Sequence, residues 1–145
     1  MLSFASTTNP FIATPTYREI NAGGVAERLR RLAEDAVRTR ILAEHGQVKL
    51  SGFGAQLTQG FERMFRMTDP VDYEPGPEAS IAAEAARTNK SPAEHCFDVM
   101  LEDFEYLATE VSEIFGDGVS ELVELATGTY KVVVLPTCAN EARAN

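Results

Sequence analysis

FERMFRMTDPVDYEPGPEASIAAEAARTNKSPAEHCFDVMLED, residues 61–103, passes from an apolar run through a proline-rich acidic turn into two helices whose start signals are written in the sequence. A serine just before a helix can accept hydrogen bonds from the first-turn N–H groups, so Ser80 predicts a helix over Ile81 to Arg87 that stops at Thr88-Asn89. Ser91 marks the next start, with Pro92 at the first helical position and Glu94 at the third, a capping box with a favoured first-turn proline. Phe97, Met100, Leu101 and Phe104 then recur at helical spacing and are expected to face a core. His95 and Cys96 are neighbours, so they project about 100° apart on a helix. They cannot both ligate one metal without help from elsewhere, and packing or surface roles are expected for both.

Upstream, FERMFRM (residues 61–67) carries Phe61, Met64, Phe65 and Met67, a pattern suited to one helical turn with a strand-like exit, read as core. TDPVDYEPGPE (residues 68–78) holds three prolines and four carboxylates. That composition excludes a continuous helix or a central strand. Asp69, Asp72, Glu74 and Glu78 lack the ordered oxygen-ligand spacing of a calcium loop. A solvated acidic loop is expected, with Glu78 near the positive end of the following helix.

On the N-terminal side, residues 1–16 (MLSFASTTNPFIATPT) are small, polar and interrupted by Pro10 and Pro15. They read as an extended arm whose Phe4, Phe11 and Ile12 need a host surface, on this domain or on a larger body. Gly23-Gly24 ends a short turn over Tyr17 to Asn21. From Val25 to Glu44 one amphipathic helix is predicted, with Val25, Leu29, Leu32, Ala36, Val37 and Ile41 inward. Its five arginines, interleaved with acids, read as a solvated face with local Glu–Arg pairs and not as an anion site. Gly46 is the expected stop, and His45 is expected to meet the terminal carbonyls. SGFGAQ (residues 51–56) lacks the further glycine and preceding strand of a dinucleotide fingerprint and reads as a flexible turn.

Past Leu101, acidity rises through EDFEYLATEVSEIFGDG, VSELVELA suggests a short amphipathic helix, and Tyr130 to Leu135 is nearly continuous in β-branched residues. A buried strand ended by Pro136 is predicted there. Its neighbours must come from Val48–Leu50, from Phe61–Met67, from another copy or from another protein.

The whole chain, 145 residues with 44% hydrophobic composition, suits one domain of mainly α class with one or two short strands. Its expected layout is an arm over 1–16, a helical region over 17–104, and an acidic helix, strand and tail over 105–145. The net charge of −9 is uneven, +2 over residues 1–50, −4 over 51–100 and −7 over 101–145, which disfavours a nucleic-acid partner. No apolar run approaches the roughly 20 residues that cross a bilayer, and no signal peptide is evident. Cys96 and Cys138 fit free thiols in a reducing compartment, and a cytoplasmic location is expected.

FERMFRMTDPVDYEP followed by SIAAEAARTNKSPAEHCFDVMLED resembles the N-acyl-D-amino-acid deacylase (D-aminoacylase) branch of the amidohydrolase superfamily. PFIATPTYREI and AERLRRLAEDAVRTRILAE are also similar to segments of that family, so the resemblance extends from about Pro10 to Asp103, and more weakly through FGDGVSELVELATGTYKVVVLP. It implies helices from the late part and lid insertion of a (β/α)8 barrel that uses zinc to activate water against an amide. The family's aspartate and histidine should follow the strand at Leu135; here Thr137 and Glu141 occupy those places. The resemblance therefore implies zinc in the intact family but transfers no catalytic, cofactor-binding or metal residue to this chain.

Two functions follow as expectations. One is an amidohydrolase-like segment, inactive alone and completed by a missing N-terminal barrel portion. The other is a self-standing helical interaction module, possibly a homo-oligomer, with a non-catalytic binding role. No membrane partner is expected for either.

Overall fold

The computed structural model of the protein describes residues 2–4, 8–68 and 70–115. The described chain is mainly helical: α1 (Pro15–Asn21), α2 (Val25–Leu32), α3 (Asp35–His45), α4 (Phe53–Gln59), α5 (Ile81–Arg87) and α6 (Pro92–Phe115). Short 3-10 turns lie at Phe61–Arg63 and Pro77–Ala79. Among the described residues the β-structure is one antiparallel bridge between Phe65 and Ser80. The expected strand over residues 130–135 lies outside the described residues.

The two capped helices form where their signals stand. Ser80 is extended (φ −68°, ψ 152°) and its hydroxyl accepts from Ala83 N–H at 3.2 Å, opening α5. At the other end Asn89 takes φ 54°, a left-handed conformation that asparagine tolerates. That reversal lets Lys90 N–H reach Ala85 C=O at 3.0 Å and Asn89 N–H reach Ala86 C=O at 3.4 Å, satisfying the last carbonyls. Ser91 then makes the reciprocal pair of the capping box: its N–H donates to Glu94 Oε2 at 2.9 Å, and its Oγ accepts from Glu94 N–H at 3.3 Å. The bond from the Ser91 backbone is also the main reason the Glu94 carboxyl is held below its ordinary range. α6 continues well past Phe104, reaching Phe115, where the sequence had offered only apolar residues at mixed spacing.

The N-terminal segment is not an extended arm. Residues 10–13 turn, Thr14 caps α1 with Pro15 at its first position, and Phe4 and Phe11 are completely buried. The host surface their aromatics require is this domain's own core. Phe4 stacks on Tyr17 (centroids 5.7 Å apart), and both Phe4 and Phe11 meet Phe97 of α6 edge-on at 5.0 and 5.3 Å. Side chains fasten this segment down as well. Glu44 of α3 accepts from Thr16 N–H at 2.9 Å and from Thr16 Oγ1 at 2.6 Å, placing a carboxylate at the positive end of α1. Arg28 Nη1 donates to Phe4 C=O at 3.2 Å.

The helix expected over Val25–Glu44 is two helices, broken at Ala33 and Glu34, where Glu34 is extended (ψ 123°). The reason is geometric. Leu32 and Ile41 are both completely buried, yet nine positions at 100° each would set them about 180° apart on one straight helix. The break re-aims α3 so that both reach the same core.

SGFGAQ is likewise helical, forming most of α4, entered through Gly52 at φ 67°. Gly60 closes this helix tightly: a Cβ there would sit 2.6 Å from Gln56 C=O, closer than real side chains approach a backbone oxygen. The chain then makes the Phe61–Arg63 turn and leaves extended, as FERMFRM suggested, with Met64 at φ −101° and ψ 133°. Only part of that run is core. Phe61 is buried and Met64 half-buried, whereas Phe65 and Met67 are exposed.

Candidate functional site

Between the extended residues 63–67 and the flank of α6 lies a groove of about 640 Å³. Met64, Phe65 and Met67 form one wall, Val99 and Met100 of α6 the other, with Leu2 and Ile81 completing it and Cys96 at its base. Three of the chain's four methionines therefore line one surface. Unbranched thioether side chains adapt their shape to whatever covers them. The volume is within the range of small-molecule sites, and the lining is mostly apolar.

Polar groups stand at the mouth. Arg66 pairs with Glu102 (Nη2–Oε2 3.0 Å) and lies 3.9 Å from Glu84 Oε2, which His95 Nε2 meets at 2.9 Å. Arg66 thus ties the extended segment to Glu84 of α5 and to Glu102 of α6. Asp103 is also at the rim, and partial loss of solvent pushes its carboxyl above the ordinary range, against the pull of Arg66. Burial alone pushes the Cys96 thiol up to about 12, so at neutral pH it is a protonated, inert packing group whose Sγ lies 3.7 Å from Met100 Sδ.

Each residue singled out in the sequence now has a place. His45 does not cap its own helix: Nε2 donates to Thr58 C=O, 3.1 Å away at the end of α4, while the ring packs between Phe11 and Phe61. His95 takes the surface pairing with Glu84, and Cys96 the packing role. Arg30 of α2 makes the expected local pairs, with Glu27 at 2.7 Å and with Glu34 at 2.9 Å. Arg38 departs from that pattern and crosses to α6. In the acidic loop, Asp72 Oδ1 accepts from Glu74 N–H at 3.0 Å and both residues are exposed, as is Glu78. Asp69, Thr137, Cys138 and Glu141 lie outside the described residues.

Among the described residues no group of three His, Cys, Asp or Glu side chains converges as a metal would need. Among them, too, no helix is long and apolar enough to cross a membrane. What sequence reading missed is the groove itself. Its one visible trace was the recurrence of methionine at 64, 67 and 100, which periodicity assigns to core.

No family model matches this chain, and neither a curated protein nor a solved structure matches it.

Proposed function

We propose that this chain acts by covering and binding, as a helical element related to N-acyl-D-amino-acid deacylases, and that it does not hydrolyse amides alone. The observation that carries this reading is the employment of its histidines. The sequence contains two, and both already serve the fold: His45 packs between Phe11 and Phe61 with its Nε2–H donating to Thr58 C=O, and His95 pairs with Glu84. A zinc hydrolase of the kind the sequence resembles draws its imidazole ligands from outside such a segment. The acidic loop and the groove then serve as the surface set against the rest of the enzyme.

The purified chain tests this directly. Zinc content well below one equivalent and no turnover of N-acylated D-amino acids are expected; stoichiometric zinc with turnover overturns the reading. Kinship has its own test, in which residues 10–103 replace the corresponding segment of an active deacylase. Retained hydrolysis supports the relationship, and a folded but inactive chimaera counts against it.

A second reading, a self-standing interaction module, is favoured by one specific observation. Phe4, Phe11, Tyr17 and Phe97 close a core using residues from this chain alone. A monodisperse dimer in light scattering would support that reading over the first.

A further inference from the structure

Buried among the described residues, the side-chain atoms Asn9 Nδ2, Tyr17 Oη, Arg28 Nε and Arg31 Nε have no hydrogen-bond partner. Arg31 has a counter-charge close by, Glu34 at 3.7 Å. The other three residues come from separate segments and gather around Phe4. Tyr17 stacks on the Phe4 ring at 5.7 Å, and Arg28 Nη1 donates to Phe4 C=O at 3.2 Å. Asn9 Oδ1 accepts from Phe11 N–H at 2.9 Å, and the Phe11 ring lies 5.9 Å from that of Phe4. Asn9 is completely buried and Tyr17 is 1% exposed. Buried polar atoms nearly always have a partner, so three unbonded ones around one residue point to a ligand.

Their chemistry says which ligand. All three atoms can donate, as an amide N–H, a phenolic O–H and a guanidinium N–H, and of these only the phenolic oxygen can also accept. A water molecule would have two protons of its own to place among them, whereas an anion accepts from all three. Charge points the same way. Arg28 is half-buried, and among the described residues no carboxylate pairs with it, unlike Arg30, Arg31 and Arg38. A partly desolvated charge without a counter-charge is unfavourable. Burial raises the Tyr17 hydroxyl above its ordinary value, while the Arg28 charge and the Asn9 side chain pull it the other way. Both neighbours thus favour negative charge at the position of that hydroxyl.

We propose that Asn9, Tyr17 and Arg28 bind a small monovalent anion of chloride size, held by Nδ2–H, Oη–H and Nε–H. The ion joins the segment before α1, α1 itself and α2, and so adds to the bond from Arg28 to Phe4 C=O that fastens the N-terminal residues to the helices. It supplies the counter-charge that the side chains around Arg28 do not. The site is separate from the methionine-lined groove and stands whether or not the deacylase kinship holds.

Chloride NMR line widths on the full chain test it, with gluconate, too large for the site, keeping the ionic strength constant. The folded protein should broaden the chloride line more than the same protein in urea. Tyr17→Phe deletes one donor and keeps the ring; it should weaken chloride binding about tenfold, as the loss of a hydrogen bond to a charged group implies. Arg28→Met should abolish binding. Broadening no greater than in urea overturns the proposal, as does broadening that either variant leaves unchanged. If the variants unfold, as circular dichroism would show, crystals of the unaltered protein grown in bromide decide. An anomalous peak within hydrogen-bond distance of Asn9 Nδ2, Tyr17 Oη and Arg28 Nε supports the site; a water molecule in that place, or an adventitious ion only, overturns it.

Discussion

Arg38 of α3 and Asp98 of α6, sixty positions apart, meet through two parallel hydrogen bonds, Nε to Oδ1 at 2.9 Å and Nη2 to Oδ2 at 3.2 Å. Lys90 Nζ reaches the same carboxylate at 2.9 Å, and the Arg38 guanidinium lies 5.9 Å from the centre of the Phe97 ring. Burial would raise the Asp98 carboxyl, but the bonds from Arg38 and Lys90 outweigh it and hold the group below its ordinary value of 3.8. A depressed folded value means that the unfolded chain binds the proton more readily on acidification. The stability from this contact is therefore present above 3.8 and is lost as pH falls through the folded value. Asp98→Asn should cost about 1–2 kcal/mol at pH 7, as expected for a half-buried charged hydrogen bond. In urea titrations the gap between variant and parent should shrink steadily below pH 4; a gap unchanged at pH 2.5 would show that charge is not its source.

The helix starts are a second test. Ser80→Ala and Ser91→Ala should each lower stability by about 1 kcal/mol, since each hydroxyl accepts an otherwise unpaired first-turn N–H. The sites differ in acid. Glu94, held below its ordinary range by its bond from Ser91, gives a pH-dependent part to the second cap alone, lost on acidification. The Ser91 backbone N–H survives Ser91→Ala, so the acid-sensitive part is read from Glu94→Gln: thermal melts at pH 7 and pH 3 should show its effect diminishing in acid while that of Ser80→Ala stays constant.

Phe4 separates a peripheral arm from a core element. Its ring contacts Phe11, Tyr17 and Phe97 and is wholly buried, so Phe4→Ala should cost about 3–5 kcal/mol. Phe4→Leu, which keeps most of the volume, should cost much less, on the order of 1 kcal/mol. Chemical denaturation measures both; a loss under 0.5 kcal/mol for the alanine variant, about what an exposed site shows, would return this segment to the surface.

Cys96 should be chemically silent. With its thiol pushed up to about 12 and its side chain buried against Met100, it offers almost no thiolate at pH 8. Iodoacetamide should leave it unmodified in the native protein and modify it fully in guanidinium, as read from peptide masses. Rapid native labelling would mean that the base of the groove opens.

The elements legible in the sequence are those whose causes lie within four residues. Ser80, Asn89, Ser91, Pro92 and Glu94 define α5 and the start of α6 by local hydrogen bonds, so no distant residue had to be known. The same kind of signal stood at Thr14-Pro15 and marks the start of α1. It was masked there by the polar residues around it and by the second proline at position 10. The break between α2 and α3 also left a trace, in the opposed directions of Leu32 and Ile41 on a continuous helix.

The chain's own composition and local pattern determined that it would be helical and acidic, with its two best-marked helices in the second half of the described residues. Tertiary structure alone decided that Phe4 and Phe11 would enter the core, that His45 would bind Thr58 C=O, and that Arg38 would leave its helix neighbours for Asp98. Caps and turns are short-range bonds that a few adjacent residues fully specify. Burial and charge pairing across the fold depend on which surfaces meet, and residues 4 and 97 become neighbours only once every intervening helix has packed.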